Sequence, residues 1–171
     1  SAARAQLSSR LLPGSSQKLL LLLLLHRAEK KAAGVKTVKC KVGQGLEEDA
    51  AACKAVREAI GSSHTLRVDA NMVWRNAKES IRNIRQLEPY DSELVEQPLH
   101  SSDLEGLRLI RESVDTPIMA DESVWTPTDA MQCVRHQAVD VFNVYVSEAG
   151  GLGPAARIFA IAEAARLPCF Y

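Results

Sequence analysis

Short β-rich runs separated by helix-length stretches recur along this chain, and each ends in a charged or polar side chain. The runs are Val38–Val42, Leu66–Asp69, Leu94–Glu96, Ile118–Asp121, Val141–Val146 and Leu167–Tyr171. Helical pattern fills the intervals near 46–60, 75–87, 103–113, 127–137 and 154–165, with an earlier stretch near 19–33. Strands alternating with helices predict βαβ units and a parallel sheet, either closed as a barrel or open and doubly wound. The polar strand ends decide between the two. Lys41 to Asp69 is 28 residues, Asp69 to Glu96 27, Glu96 to Asp121 25, and Asp121 to Tyr145 24. In a β/α barrel such ends meet on one face, where barrel enzymes build their active sites. An open sheet would spread them along a crevice, and no GxGxxG follows the first run to mark a dinucleotide site. The spacing therefore predicts an α/β protein with a partial (β/α) TIM-type barrel.

Local signals agree with these boundaries. Thr126-Pro127-Thr128-Asp129 offers an N-cap, a proline at the first helical position and an early acid, while Glu47, Glu48 and Asp49 put negative charge on another first turn. At 171 residues the chain has room for one domain. Its 21 basic and 21 acidic residues give no overall field for nucleic acid or an anionic membrane, so function is expected in a local site.

That balance is unevenly distributed. Residues 1–28 hold Arg4, Arg10, Lys18 and Arg27 and no acid, which leaves 17 basic against 21 acidic residues over 29–171. Residues 1–18 are accordingly set apart as an N-terminal tail, transit-like or disordered, from a partial barrel over 19–171. The run Leu19–Leu25 is far short of the ~20 apolar residues that span a bilayer. With no Met at position 1, the chain is read as part of a longer one. Cys40, Cys53, Cys133 and Cys169 form no CxxC pair and read as buried, reduced thiols, with a cytoplasmic setting expected and a mitochondrial one if the tail is a transit peptide.

Two constellations carry chemistry. Lys39 and Lys41, two apart on a strand, point to one face, with Cys40 toward the helix layer. Neighbouring ammonium groups disfavour each other's charge, so one lysine is a candidate base; two solvated surface lysines are the plainer alternative. Asp69, Glu96 and Asp121 would repel one another at adjacent strand ends unless a cation lay between them, and an all-oxygen set suits a hard ion such as Mg²⁺. The competing reading makes each acid a helix cap.

These residues resemble the enolase superfamily in its mandelate racemase and muconate lactonizing branch. The likeness rests on KCKVG (39–43), DAN (69–71), EQP (96–98), ADES (120–123) and the glycine pair of SEAGG (147–151), in that order, and runs from about residue 26 to 171. It implies strands 2 to 7 of the family's barrel, without the capping domain that closes over the substrate. It further implies Mg²⁺ on Asp69, Glu96 and Asp121, Lys41 removing a proton α to a substrate carboxylate, Lys39 tuning it, a small carboxylate substrate, and a homo-oligomer when full length.

One position departs from the family pattern. Six residues before the second glycine, where muconate lactonizing enzymes and dipeptide epimerases carry a Lys, this chain has Tyr145. A phenol donates a proton but is a poor base at neutral pH. Racemisation needs a base and an acid on opposite faces, whereas dehydration needs one base and an acid to help hydroxide leave. Tyr145 thus favours a dehydratase acting on a hydroxy acid or hydroxy-amino acid, with NVYVSEAGG similar to cis-3-hydroxyproline dehydratases. A racemase, epimerase or cycloisomerase is the alternative, as is a truncated, non-catalytic relative.

Overall fold

A computed structural model describes residues 5–7 and 36–171. Seven strands form a single sheet: β1 (Ala5–Leu7), β2 (Thr37–Lys41), β3 (Thr65–Asp69), β4 (Ser92–Glu96), β5 (Ile118–Ala120), β6 (Val141–Asn143) and β7 (Cys169–Phe170). Every neighbouring pair is parallel and spatial order equals chain order. Five helices follow the strands: α1 (Leu46–Ile60), α2 (Ala77–Leu87), α3 (Leu104–Arg111), α4 (Pro127–His136) and α5 (Leu152–Ala164). A strand order that never reverses keeps right-handed crossovers on one face. That is the wrap of a β/α barrel, here partial; a doubly wound sheet would reverse at a switch point.

Strand alternation divides the side chains between two cores. Facing the helices, Cys40, Leu66, Val68, Val95, Ile118, Ala120 and Phe142 pack against Cys53 and Val56 of α1, Ile84 and Leu87 of α2, Leu107 and Ile110 of α3, Cys133 of α4 and Ile158 of α5. On the inner face a smaller cluster of Leu94, Met119 and Val141 meets Phe170. Burial of each Leu, Ile, Val, Phe or Met side chain among them stabilises the fold by about 1.5–3 kcal/mol. Above the inner cluster, toward the C-terminal strand ends, the inner face turns polar.

Caps fix where helices begin. Asn76 Oδ1 accepts from Glu79 N at 3.0 Å, and Asp103 Oδ1 from Gly106 N at 2.9 Å. Thr126 and Asp129 form a reciprocal capping box with Pro127 in the first turn. Asp49 acts differently from the helix-dipole expectation. Buried at 4% exposure, it turns back to accept from Gly43 N at 2.8 Å and Gln44 N at 3.1 Å, tying the β2–α1 loop down. Burial pushes its carboxyl above the usual range, against the pull of those N–H groups.

Several boundaries move from the sequence expectation. Ala5–Leu7, within the segment set apart as a tail, pairs in parallel with Val38–Cys40, so the lysine-bearing strand is not a sheet edge. Three residues are too few for a legible alternating pattern. The helix read near 19–33 lies outside the described residues. Among the described residues, no helix is long and apolar enough to cross a membrane.

Candidate active site

Strands β2 to β4 deliver their terminal side chains to one polar cluster. Register sets Lys41 beside Asp69 and Asp69 beside Glu96. Lys41 Nζ pairs with Asp69 Oδ2 at 2.9 Å, and Lys39 Nζ reaches the same oxygen at 3.2 Å. Lys39 also pairs with Glu96 Oε2. Cys40, between the lysines, points the other way, its Sγ 3.9 Å from Cys53 Sγ in the helix-facing core. Both lysines therefore belong to the chamber with the acids and not to a solvated strand face; their side chains are 13% and 25% exposed for Lys39 and Lys41.

This charge arrangement differs from the mutual repulsion expected of two adjacent lysines. Burial works against charge on Lys39, but Glu96 first and Asp69 next outweigh it and raise its pKa. Lys39 is thus locked as an ammonium between two carboxylates. Asp121, just past β5, has its carboxyl pushed up to about 8, by burial first, then by Glu96, with Glu122 and Glu148 adding to it. Glu122 is raised as well, by burial and by the charges of Asp69 and Glu96, against the hydrogen bond from Asn71. Asp121 and Glu122 both border the acid cluster and neither is a simple helix cap.

Three further residues shape the site. Asn143, at the end of β6, donates from Nδ2 to Glu96 Oε1 at 3.1 Å. Asn71 donates from its backbone N to Asp69 Oδ1 at 3.0 Å, and its side chain touches Lys41 and Glu122. Gln97, fully buried, accepts at Oε1 from Asp121 N at 2.9 Å and Ser123 N at 3.2 Å. Its Nε2 donates to Leu99 O and Ser123 Oγ, each at 2.8 Å. One carboxamide thereby fastens the loop after β4 to the loop carrying Asp121. Asn71 and Gln97 stood within the DAN and EQP motifs and Glu122 within ADES, so their neighbourhood was readable; Asn143 opens the NVYVSEAGG segment, which gave it no role of its own.

Tyr145 falls two residues beyond β6, in the segment leading to a turn, and is 37% exposed. The strand expected over Val141–Val146 ends at Asn143, although Val144 N still donates to Phe170 O at 2.9 Å. Trp74 is packed in the core at 5% exposure, while Trp125 is exposed. His64 and His100 make local contacts with Ile60 O and Ser102 Oγ.

The donor set suits a hard cation in kind. Asp121 Oδ1, Glu122 Oε2 and Asn143 Oδ1 are buried oxygens with no hydrogen-bond donor among the described residues. Together with the raised Asp121 carboxyl, they mark a surplus of oxygen and negative charge that a divalent ion would answer. Among the described residues, no three His, Cys, Asp or Glu side chains already stand close enough to enclose an ion. Lys39 supplies the counter-charge between Asp69 and Glu96 instead.

Comparison with known proteins agrees with the fold. Residues 24–171 match the family described as Enolase C-terminal domain-like. The chain is 44% identical over 141 residues to a hydrophobic dipeptide epimerase of Enterococcus faecalis, covering 82% of this chain and 40% of that protein. It is 42% identical over 139 residues to an L-Ala-D/L-Glu epimerase of Bacillus subtilis, covering 80% and 38%. The solved structure of the Enterococcus faecalis dipeptide epimerase, complexed with Mg and L-Leu-L-Tyr, superposes with a TM-score of 0.83 at 40% identity, over 96% of this chain and 44% of that one. The chain thus spans about two fifths of the length of the curated relatives it matches. Other relatives are an N-succinyl-L-Arg/Lys racemase and a muconate cycloisomerase. These matches favour the isomerase alternative over dehydration, and no hydroxyproline dehydratase stands among the relatives named. By its motifs, its strand order and these relatives, the chain belongs to the mandelate racemase/muconate lactonizing enzyme branch of the enolase superfamily.

Proposed function

We propose that the full-length protein is a Mg²⁺-dependent isomerase that removes the proton α to a substrate carboxylate and returns one, epimerising a dipeptide or an N-acylated amino acid. The observation that carries this reading is a pair of lysines held in one chamber with Asp69, Glu96 and Asp121. The two lysines divide the work. Lys39, clamped as an ammonium by Glu96 and Asp69, is the fixed positive charge. Lys41, nearer the strand end and more exposed, is the base that meets substrate. Asp69, Glu96 and Asp121 would hold Mg²⁺, which when bound neutralises the acids and stabilises the negative charge that proton removal puts on the substrate carboxylate.

Tyr145 supplies the proton on the other face in this reading. It follows the sixth strand, four on from the strand of Lys41, which in an eight-stranded barrel is diametrically opposite. Two supports favour isomerisation over the dehydration that Tyr145 alone would suggest: the activities of the relatives, and the placement of Lys41 at the end of β2 with Tyr145 just after β6, the strand that a barrel sets opposite it. Binding of a small carboxylate and homo-oligomerisation of the full-length protein belong to the same reading.

The test is proton NMR of the full-length protein with Mg²⁺ in D₂O, using a panel of L-dipeptides and N-acyl amino acids. The expected result is deuterium at the α-carbon and growth of the second diastereomer or enantiomer. Lys41→Met should lower exchange by about 10²–10⁴-fold without unfolding the protein. Tyr145→Phe should retain wash-in on the Lys41 face while blocking inversion. Loss of water from a hydroxy acid without inversion, or no deuterium in any member of the panel, would overturn the proposal.

A further inference from the structure

Asn71 sits in a turn whose backbone is held in an unusual conformation. Asn71 and Met72 have φ 49 and 62, two successive non-glycine residues in the left-handed region. The turn is fixed by Asn71 N donating to Asp69 Oδ1 at 3.0 Å and Met72 N donating to Gln97 O at 2.8 Å. From this platform the Asn71 side chain reaches the end of β2 and the loop after β5 at once. Its Oδ1 accepts from Lys41 Nζ, and its Nδ2 donates to Glu122 Oε1.

A carboxamide has one accepting and one donating end. Flipping Asn71 would set its NH₂ against the Lys41 ammonium and its oxygen against the Glu122 carboxylate, so both contacts would become repulsive. Glu122 therefore selects the orientation in which Asn71 offers an acceptor to Lys41. With Asp69 Oδ2 at 2.9 Å as the second acceptor, the Lys41 ammonium is held from two sides. We propose that Glu122 is a positioning residue for Lys41, acting through the side chain of Asn71. The inference rests on the reading of Lys41 as the base, but the contacts it invokes can be tested apart from turnover.

The experiment measures trinitrobenzenesulfonate labelling of Lys41 by mass spectrometry in the full-length protein, with exposed Lys54 as the internal reference. Glu122→Leu should raise relative labelling of Lys41 about two- to tenfold, the range set by loss of one hydrogen bond. Asn71→Ala should give a similar rise, and the double variant should add nothing further, because one acts through the other. Glu122→Gln retains an acceptor for Asn71 Nδ2, so its labelling should stay near wild type. Glu122→Met repeats the test if the leucine variant fails to melt cooperatively. In the D₂O assay the same variants should lower kcat for α-proton exchange more than they raise KM. Unchanged labelling in Glu122→Leu, or full additivity with Asn71→Ala, would overturn the inference. Labelling that obeys the cycle in a protein exchanging no α-proton would uphold the positioning contact and overturn the reading of Lys41 as the base.

Discussion

Replacing Gln97 with Leu keeps the volume of the side chain and removes its hydrogen bonds. Three buried groups would then lose their partners: Asp121 N and Ser123 N, which share Gln97 Oε1 as acceptor, and Leu99 O, which accepts from Nε2. Ser123 Oγ loses one contact but keeps its bond to Ser101 O at 3.0 Å. Each unsatisfied buried group costs about 1–3 kcal/mol, and partial solvent access at Asp121 keeps the total near the lower end, at about 3–5 kcal/mol. With a urea m-value of about 2 kcal/mol/M, the unfolding midpoint should fall by about 1.5–2.5 M. The control is Glu112→Gln, which removes an exposed pair with Arg108 and should cost under about 0.5 kcal/mol. A midpoint for Gln97→Leu no lower than this control's would refute the reasoning, because it would mean that the two loops are not held by this carboxamide.

Three other outcomes are expected. Mg²⁺ at about a hundred times its Kd should stabilise the full-length protein by about 2.7 kcal/mol, and Asp121→Asn should lose much of that gain; an equal thermal shift in the variant would remove Asp121 from the ligand set. Gly43 has φ +110 and an added Cβ would lie 2.5 Å from Val73 Cγ1, so Gly43→Ala should destabilise by about 1–3 kcal/mol, read by thermal melting, whereas a neutral result would show that the β2–α1 loop relaxes freely. Burial pushes the Cys133 thiol from 9.0 up to about 12, so its contribution to stability is complete below pH 9 and is lost as pH rises toward 12, at about 1.4 kcal/mol per unit. Cys133→Ala should flatten that alkaline fall in the unfolding midpoint, and parallel slopes would count against the assignment.

How much of the fold could be read from sequence follows from how each element is specified. Strands β3 and β4 and helix α4 announced themselves because each carries its own signal: apolar runs ending in an acid, and a Thr-Pro-Thr-Asp start that forms a complete capping box. Ala5–Leu7 did not, since its place in the sheet is set by pairing with Val38–Cys40 and not by any pattern within its three residues. Val141–Val146 read as one strand because its residues suit β structure, yet Val146 N-terminal to the glycine pair already belongs to the turn whose carbonyl accepts from Gly151 N at 2.9 Å. Local propensity does not register where a neighbouring strand stops. Here β7 is only Cys169–Phe170, and β6 extends little further than its partner.

The site shows the same division more sharply. Residue types that bear charge at the ends of successive strands were legible because the βα repeat places them at similar intervals, and one periodicity then implies a shared location. The partners that orient them obey no such spacing. Asn71 bridges Lys41, 30 residues before it, to Glu122, 51 residues after it, and Asn143 reaches Glu96 across 47. The contact of Asn71 with Glu122 skips over β4 and that of Asn143 with Glu96 skips over β5, so both exist only because the sheet curves and brings non-adjacent strand ends within reach of one another. For Lys39, the repulsion expected within the lysine pair is outweighed for the same reason. Considered along β2, Lys39 and Lys41 have only each other as charged neighbours, and mutual repulsion follows; in the curved sheet Glu96, two strands away, reaches Lys39 and reverses the sign of the effect. Curvature thus decides that Lys39 is the lysine locked as a cation, and leaves Lys41, nearer the strand end, for the role of base proposed for it.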